Sequence, residues 1–140
     1  MLKGISNLLS PELLKILMEM GHGDEIVFGD ANFPSASHAQ RLVRADGHRI
    51  TAMLDAILPL FPLDYAVEFS AVLMDSRGTE PAVWKLYKEI LNEYPDGNKQ
   101  FLVISKPEFY ERAKKAYCVV ATSESERFAN IIIRKGIISN

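Results

Sequence analysis

Cysteine is almost missing from this chain: Cys118 is the one thiol in 140 residues. That excludes an intrachain disulfide and any multi-cysteine metal knuckle. A charge excess of either sign is missing too. Sixteen basic side chains stand against 18 acidic ones, for a net charge of −2. A nucleic-acid binder that relies on a basic surplus is therefore excluded, and the Lys114-Lys115 and Arg134-Lys135 pairs are too small to form a patch. Long hydrophobic runs are absent. The longest spans residues 56–63, eight residues interrupted by two prolines, whereas a membrane-spanning helix needs about 20. The first residues do not read as a secretory signal, since Lys3 is a lone positive charge and Pro11 and Glu12 break the apolar stretch early. Neither a glycine-rich phosphate loop nor a Gly-x-Ser-x-Gly elbow occurs. His22, His38 and His48 are not at metal-ligand spacing. The expectation is a cytoplasmic protein with no metal, no nucleic-acid partner and no membrane partner.

What is present is an ordinary globular balance, with 48% hydrophobic and 24% charged residues, enough for one domain over residues 1–140. Ser10-Pro11 starts a helix, with a hydroxyl cap and a proline at the first position. Leu13, Leu14, Leu17 and Met18 continue its period, and Gly21 ends it. Strands are predicted over residues 25–28, 42–44, 67–74, 100–105, 117–122 and 130–134. Helices are predicted over residues 50–58, from Glu80-Pro81 to Pro95-Asp-Gly97, and over residues 107–116. Residues 29–40 and 123–127 read as loops. The alternation indicates an α/β layer architecture with an at least partly parallel sheet of about six strands. In the third helical segment Val83, Trp84, Tyr87, Ile90 and Leu91 form the face to be buried.

Gly21-His22-Gly23-Asp24 is the most unusual local feature. Flanking glycines let the backbone bend and a ligand approach, and histidine exchanges protons near neutral pH. A glycine-capped helix end beside a surface histidine is the plainer alternative. Asp30 and Asp64 both stand where an element gives way to a loop; each could bind paired hydroxyls or cap a turn. Tyr110 could present a phenol or bury its ring. Phe128-Ala129-Asn130 joins an aromatic face to an amide, a combination that suits a carbohydrate or an ordinary strand edge. Cys118, within an apolar run, reads as inert core.

Seven blocks, in order along the chain, are Leu9-Ser-Pro-Glu-Leu-Leu14, Met20-Gly-His-Gly-Asp-Glu-Ile26, Asn32-Phe-Pro34, Arg44-Ala-Asp-Gly47, Pro62-Leu-Asp64, Phe109-Tyr-Glu-Arg-Ala-Lys-Lys-Ala116 and Arg134-Lys-Gly136. Together they resemble the RbsD/FucU family, on its L-fucose mutarotase branch rather than that of D-ribose pyranase. The resemblance implies a single-domain three-layer α/β/α sandwich with a mixed, mostly parallel sheet. It implies interconversion of the α and β anomers of L-fucose, a reaction that needs no cofactor. His22 matches the family's proton donor, Tyr110 a catalytic tyrosine, Asp30 and Asp64 sugar-binding carboxylates, and Asn130 a sugar-contacting amide. Two departures stand out. Phe128-Ala129 replaces the usual Tyr-Gly, and Lys106-Pro107 stands where bacterial members often have a sugar-contacting arginine. The resemblance further implies a homo-oligomer, in many members a decameric ring with sites at subunit boundaries. The apolar segments 57–63 and 69–74 are then candidates for interface burial or for monomer core. The alternatives are ribose pyranase or mutarotase activity on another sugar such as galactose, a non-catalytic sugar-binding accessory protein, and a purely structural oligomer.

Overall fold

The computed structural model describes residues 1–139. Its eleven elements run α1 (Pro11–Glu19), β1 (Glu25–Gly29), α2 (Ser35–His38), β2 (Leu42–Ala45), α3 (Ile50–Ile57), β3 (Ala71–Met74), α4 (Ala82–Leu91), β4 (Phe101–Ile104), α5 (Lys106–Lys115), β5 (Cys118–Thr122) and β6 (Ile131–Arg134). The strands form one sheet in the order β2-β5-β1-β6-β3-β4. β1, β2, β3, β4 and β5 all point one way, and β6 alone runs against them, paired antiparallel to β1 and β3. Fully buried strands such as β5 and β3 are apolar without alternation because helices cover both faces.

One face carries α1, α3 and α4. There Leu13, Leu17, Met53, Leu54, Tyr87 and Leu91 pack on Ile26, Phe28, Val120, Ile131 and Ile133. The opposite face carries α2 and α5, with Phe33, Phe109 and Ala113 packed on Val27, Val72, Val119 and Ile132. The three-layer α/β/α sandwich and the mixed six-stranded sheet match the expectation. Ser10 Oγ accepts from Leu13 N–H and Pro11 opens α1, while Ser105 Oγ caps α5 in the same way. Cys118 is buried and its thiol is pushed up to about 12 by burial, so it is an inert core group. Among the described residues, no helix is long and apolar enough to cross a membrane.

The structure corrects several sequence expectations. The loop over residues 29–40 contains the short helix α2, closed by Ala39 N–H onto Ser35 O. β3 starts at Ala71, not Val67, because the Lys99 ammonium donates to the carbonyls of Tyr65 and Val67 (3.1 and 2.8 Å), which takes them out of the ladder. α4 stops at Leu91, before the proline that was expected to end it, and Asn130 lies just outside β6. For the two apolar segments the core alternative holds. Ile57, Leu58, Phe61 and Leu63 are buried within the chain, as is the whole of β3, and Leu60 is exposed.

Candidate functional site

Strand direction sets where the candidate residues can meet. Asp30 follows the last residue of β1, Lys106 and Tyr110 lie on α5 just beyond β4, and Asn130 precedes the first residue of the reversed β6. All four therefore reach the carboxyl edge of the parallel strands, where open α/β sheets bind ligands. A cavity of about 670 Å³ opens there, lined by Asp30, Lys106, Tyr110, Phe128 and Asn130 together with Phe33 and the segment after β3 that includes Asp75, Ser76 and Arg77.

Each of these side chains is held in place. Asn130, buried, accepts from Asp30 N–H at 2.7 Å through Oδ1, which leaves its amide N–H₂ free to donate. The Asp30 carboxylate accepts from Asn32 N–H at 3.0 Å. Burial raises its pKa, opposed by backbone N–H groups of Asn32, Ala129 and Phe33, while Glu124 nearby adds to the rise. Gly29 makes the Asp30 turn possible. A Cβ there would lie 2.7 Å from both Phe33 Cδ1 and Ser35 Oγ. The Phe33 ring meets the Tyr110 ring edge-on at 5.3 Å, and His38 meets Tyr110 from another side at the same distance. The Lys106 ammonium lies 5.4 Å from the centre of the Tyr110 ring. Burial and the charge of Asp30 raise the Tyr110 pKa, so its phenol stays protonated and can donate.

His22 and Asp64 are elsewhere. His22 precedes β1, whereas Asp30 follows it, and the strand between them spans about 13 Å at 3.3 Å per residue. His22 Nε2 lies 3.1 Å from Asp64 Oδ1, and Asp64 Oδ2 accepts from Arg134 Nε at 2.8 Å. Ala66 N–H donates to Asp64 Oδ1 at 3.0 Å. The Asp64 side chain is 1% exposed, against 46% for His22 and 41% for Arg134. Burial alone would raise the Asp64 pKa, but the Ala66 N–H, His22 and Arg134 together outweigh it and hold the carboxyl below its ordinary value. An ionised carboxylate only accepts, so Nε2 is the donor and neutral His22 is the Nε2–H tautomer. Its Nδ1 is then the nitrogen that carries the free lone pair. The turn is fixed by Gly23 N–H onto Lys135 O and Lys135 N–H onto Asp24 O, both 2.8 Å. Gly23 has φ +89°, and a Cβ there would come within 3.0 Å of Arg134 Nη2.

The chain thus sorts the seven predicted site residues into two groups. Asp30, Lys106, Tyr110, Phe128 and Asn130 share one cavity; His22 and Asp64 share the opposite edge. Asp64, far along the chain, orients His22, while the adjacent carboxylate of Asp24 accepts from Gly21 N–H through Oδ2. The sequence alone did not single out Arg134, set aside as one of a basic pair, or the Asp75–Arg77 rim. The signal for the rim was an aspartate and a glycine turn at a strand's carboxyl end. A second concavity of about 710 Å³ is lined mostly by apolar side chains, including Leu60, Tyr65 and Ile138, with Asp96 as its one carboxylate. Among the described residues, no three His, Cys, Asp or Glu side chains are placed to hold a metal ion.

Residues 3–138 match the profile of the RbsD / FucU transport protein family. The chain is 48% identical over 146 residues to the fucose mutarotase of Mus musculus, covering 98% of this chain and 95% of that protein. It is 43% identical over 140 residues to the L-fucose mutarotase of Histophilus somni, covering 98% and 97%. Among solved structures, the fucose mutarotase of Streptococcus pneumoniae in complex with L-fucose is 46% identical and superposes with a TM-score of 0.91, across 99% of this chain and 100% of that one.

Proposed function

Because the chain belongs to the RbsD / FucU transport protein family, we propose that it is an isomerase that interconverts the α and β anomers of L-fucose. The observation that carries this reading is the full-length likeness to a fucose mutarotase solved with L-fucose, joined to a polar cavity at the carboxyl edge with ample room for a monosaccharide.

The chemistry is proton traffic alone. One group takes the proton of the anomeric hydroxyl while another protonates the ring oxygen. The bond between the anomeric carbon and the ring oxygen breaks, the aldehyde rotates, and the ring closes on its other face. His22 exchanges protons through Nδ1, with Asp64 and Arg134 holding its ring, and the Tyr110 phenol completes the relay. Asp30 accepts sugar hydroxyls, Asn130 and Lys106 donate to them, and Phe128 offers a stacking face in place of a hydroxyl. A general acid–base pair contributes roughly 10²–10⁴-fold, enough for a reaction that already proceeds in water. No redox change occurs, so the reaction calls for no cofactor.

His22 and Tyr110 stand at opposite edges of one chain, so the relay joins the His22 edge of one subunit to the Tyr110 cavity of the next. Contacts between two different patches build rings when the rotation from one subunit to the next closes; a shared site therefore supports a homo-oligomer, and a decameric ring is the form this reading favours. Exposed Leu60, Tyr65, Ile137 and Ile138 supply apolar surface for it. The free, buried Cys118 fits a cytoplasmic place of action.

Exchange NMR on L-fucose at equilibrium tests the activity, with D-ribose and D-galactose in parallel. Cross-peaks between the α and β anomers should appear only with protein and be strongest for fucose. Stronger exchange with ribose would make the protein a pyranase. Binding without exchange would make it an accessory sugar binder.

A further inference from the structure

The loop that carries Phe128 and Asn130 is not held by the sheet alone. Phe128 is a non-glycine residue at φ +59°, a backbone state that bulky side chains reach only when the surroundings impose it. α4 supplies the restraint. Trp84 Nε1–H donates to the carbonyl of Phe128 at 3.0 Å, and one turn on, Tyr87 O–H donates to the carbonyl of Ala129 at 2.7 Å. Glu126, at the start of the same loop, accepts from Val83 N–H at 3.4 Å. Tyr87 is fully buried, so its hydroxyl has water neither to compete with nor to fall back on. The next link is the cavity itself. Asn130 Oδ1 takes the Asp30 N–H at 2.7 Å, and the Ala129 N–H lies near enough to the Asp30 carboxylate to oppose the rise that burial causes.

We infer that Trp84 and Tyr87 are positioning residues for the sugar site: two donors at i and i+3 on α4 grip consecutive carbonyls and so set where Phe128, Asn130 and Asp30 stand. This rests on the function proposed above. Neither side chain lines the cavity, and by sequence both belong to a core-facing helix stripe. Packing requires only their rings. The positioning role requires the indole N–H and the phenol O–H, which Phe can delete while keeping an aromatic ring.

The test compares Tyr87→Phe, Trp84→Phe and Leu91→Val in the full-length protein, by anomer-exchange kinetics and thermal melting. Leu91 is fully buried on the same helix and touches no part of the loop hydrogen bonding, so its variant reports a loss of core packing alone. Tyr87→Phe and Trp84→Phe should each raise KM for L-fucose about three- to tenfold, the equilibrium weight of one misplaced hydrogen bond. Their kcat should change less than KM, because the loop they grip holds neither Tyr110, which packs on Phe33 and His38, nor the His22 that a neighbouring subunit brings, which Asp64 holds. Leu91→Val should melt lower with KM unchanged. If the two Phe variants lose melting temperature but keep KM, the inference is overturned and the contacts are structural. Equal KM changes in all three overturn it as well. Absence of exchange in the unmutated protein instead refutes the mutarotase reading. In that case the inference is judged on L-fucose affinity by calorimetry, where Tyr87→Phe and Trp84→Phe should weaken binding by the same factor and Leu91→Val should not; affinities that do not change refute it there too.

Discussion

Replacing Asp64 by Asn changes one atom and removes one charge, yet the structure leaves the new amide no acceptable orientation. Asp64 Oδ1 accepts from both Ala66 N–H and His22 Nε2–H, and Oδ2 accepts from Arg134 Nε–H. If the Asn oxygen takes the first position, its N–H₂ faces the guanidinium. If it takes the second, the N–H₂ faces Ala66 N–H, and His22 must adopt the opposite tautomer to accept. Either way, donor meets donor at a side chain that is 1% exposed. A buried group left unsatisfied costs about 1–3 kcal/mol. Arg134 and His22 are each more than two-fifths exposed, and water recovers part of their loss. The net cost is then about 1–2 kcal/mol, which at roughly 3–4 °C per kcal/mol lowers Tm by about 3–8 °C. Activity should fall further than stability implies, by about 10- to 100-fold in kcat at a temperature where the variant is folded, since the imidazole loses its orientation and tautomer. Thermal melts and exchange NMR measure the two effects, and ¹⁵N shifts of the His22 ring report the tautomer. Wild-type shifts showing an Nδ1–H imidazole, or an Asp64→Asn protein with unchanged exchange, would refute the reasoning.

His22→Ala and Tyr110→Phe should each abolish most exchange alone, yet on co-refolding in equal amounts about a quarter of shared sites regain both groups; recovery of exchange in the mixture checks this, and none is possible if each chain holds a complete site. Gly29→Ala puts a methyl 2.7 Å from Phe33 and Ser35, an overpacking cost of about 1–3 kcal/mol, and the displaced Phe33 should carry Tyr110 with it; denaturant unfolding and kcat/KM should fall together. Acid should erase the difference between wild type and Asp64→Asn. The folded Asp64 carboxyl lies below its ordinary value of 3.8, so its stabilisation is complete above that pH and is lost as pH falls through the folded value. The Tm gap between the two proteins should therefore be constant near neutrality and close below about pH 3.8.

Local signals carried most of the fold. Ser10-Pro11 and the Leu13-Leu17 spacing define α1 because cap and stripe lie within one helix, and the alternation of apolar runs gives the α/β layers. What escaped depended on partners far along the chain. Val67 cannot be known to leave the sheet without Lys99, 32 residues on, and α2 forms inside a polar segment because Phe33 buries itself against Phe109 and Tyr110. The site was legible as a set of residues but not as an arrangement. His22, Asp64 and Arg134 are separated by 42 and 70 residues, and no periodicity announces that they meet. That His22 and Tyr110 lie at opposite edges follows from strand direction, which composition and spacing do not reveal.

β6 is the reversed strand, hydrogen-bonded on both sides, with Asn130 just before its first residue and Arg134 as its last. It therefore works as a ruler of fixed length between two pieces of machinery. One end hands an amide to the cavity at the carboxyl edge, and the other steadies the histidine that a neighbouring cavity would borrow. A strand clamped in this way can neither stretch nor slip by a residue without turning its side chains to the wrong face. Any inserted or deleted residue would spoil both ends at once. Around a closed ring of subunits, that inextensible span would hold every donor at the same distance from every cavity, so that each site keeps the same rate whatever its neighbours are doing.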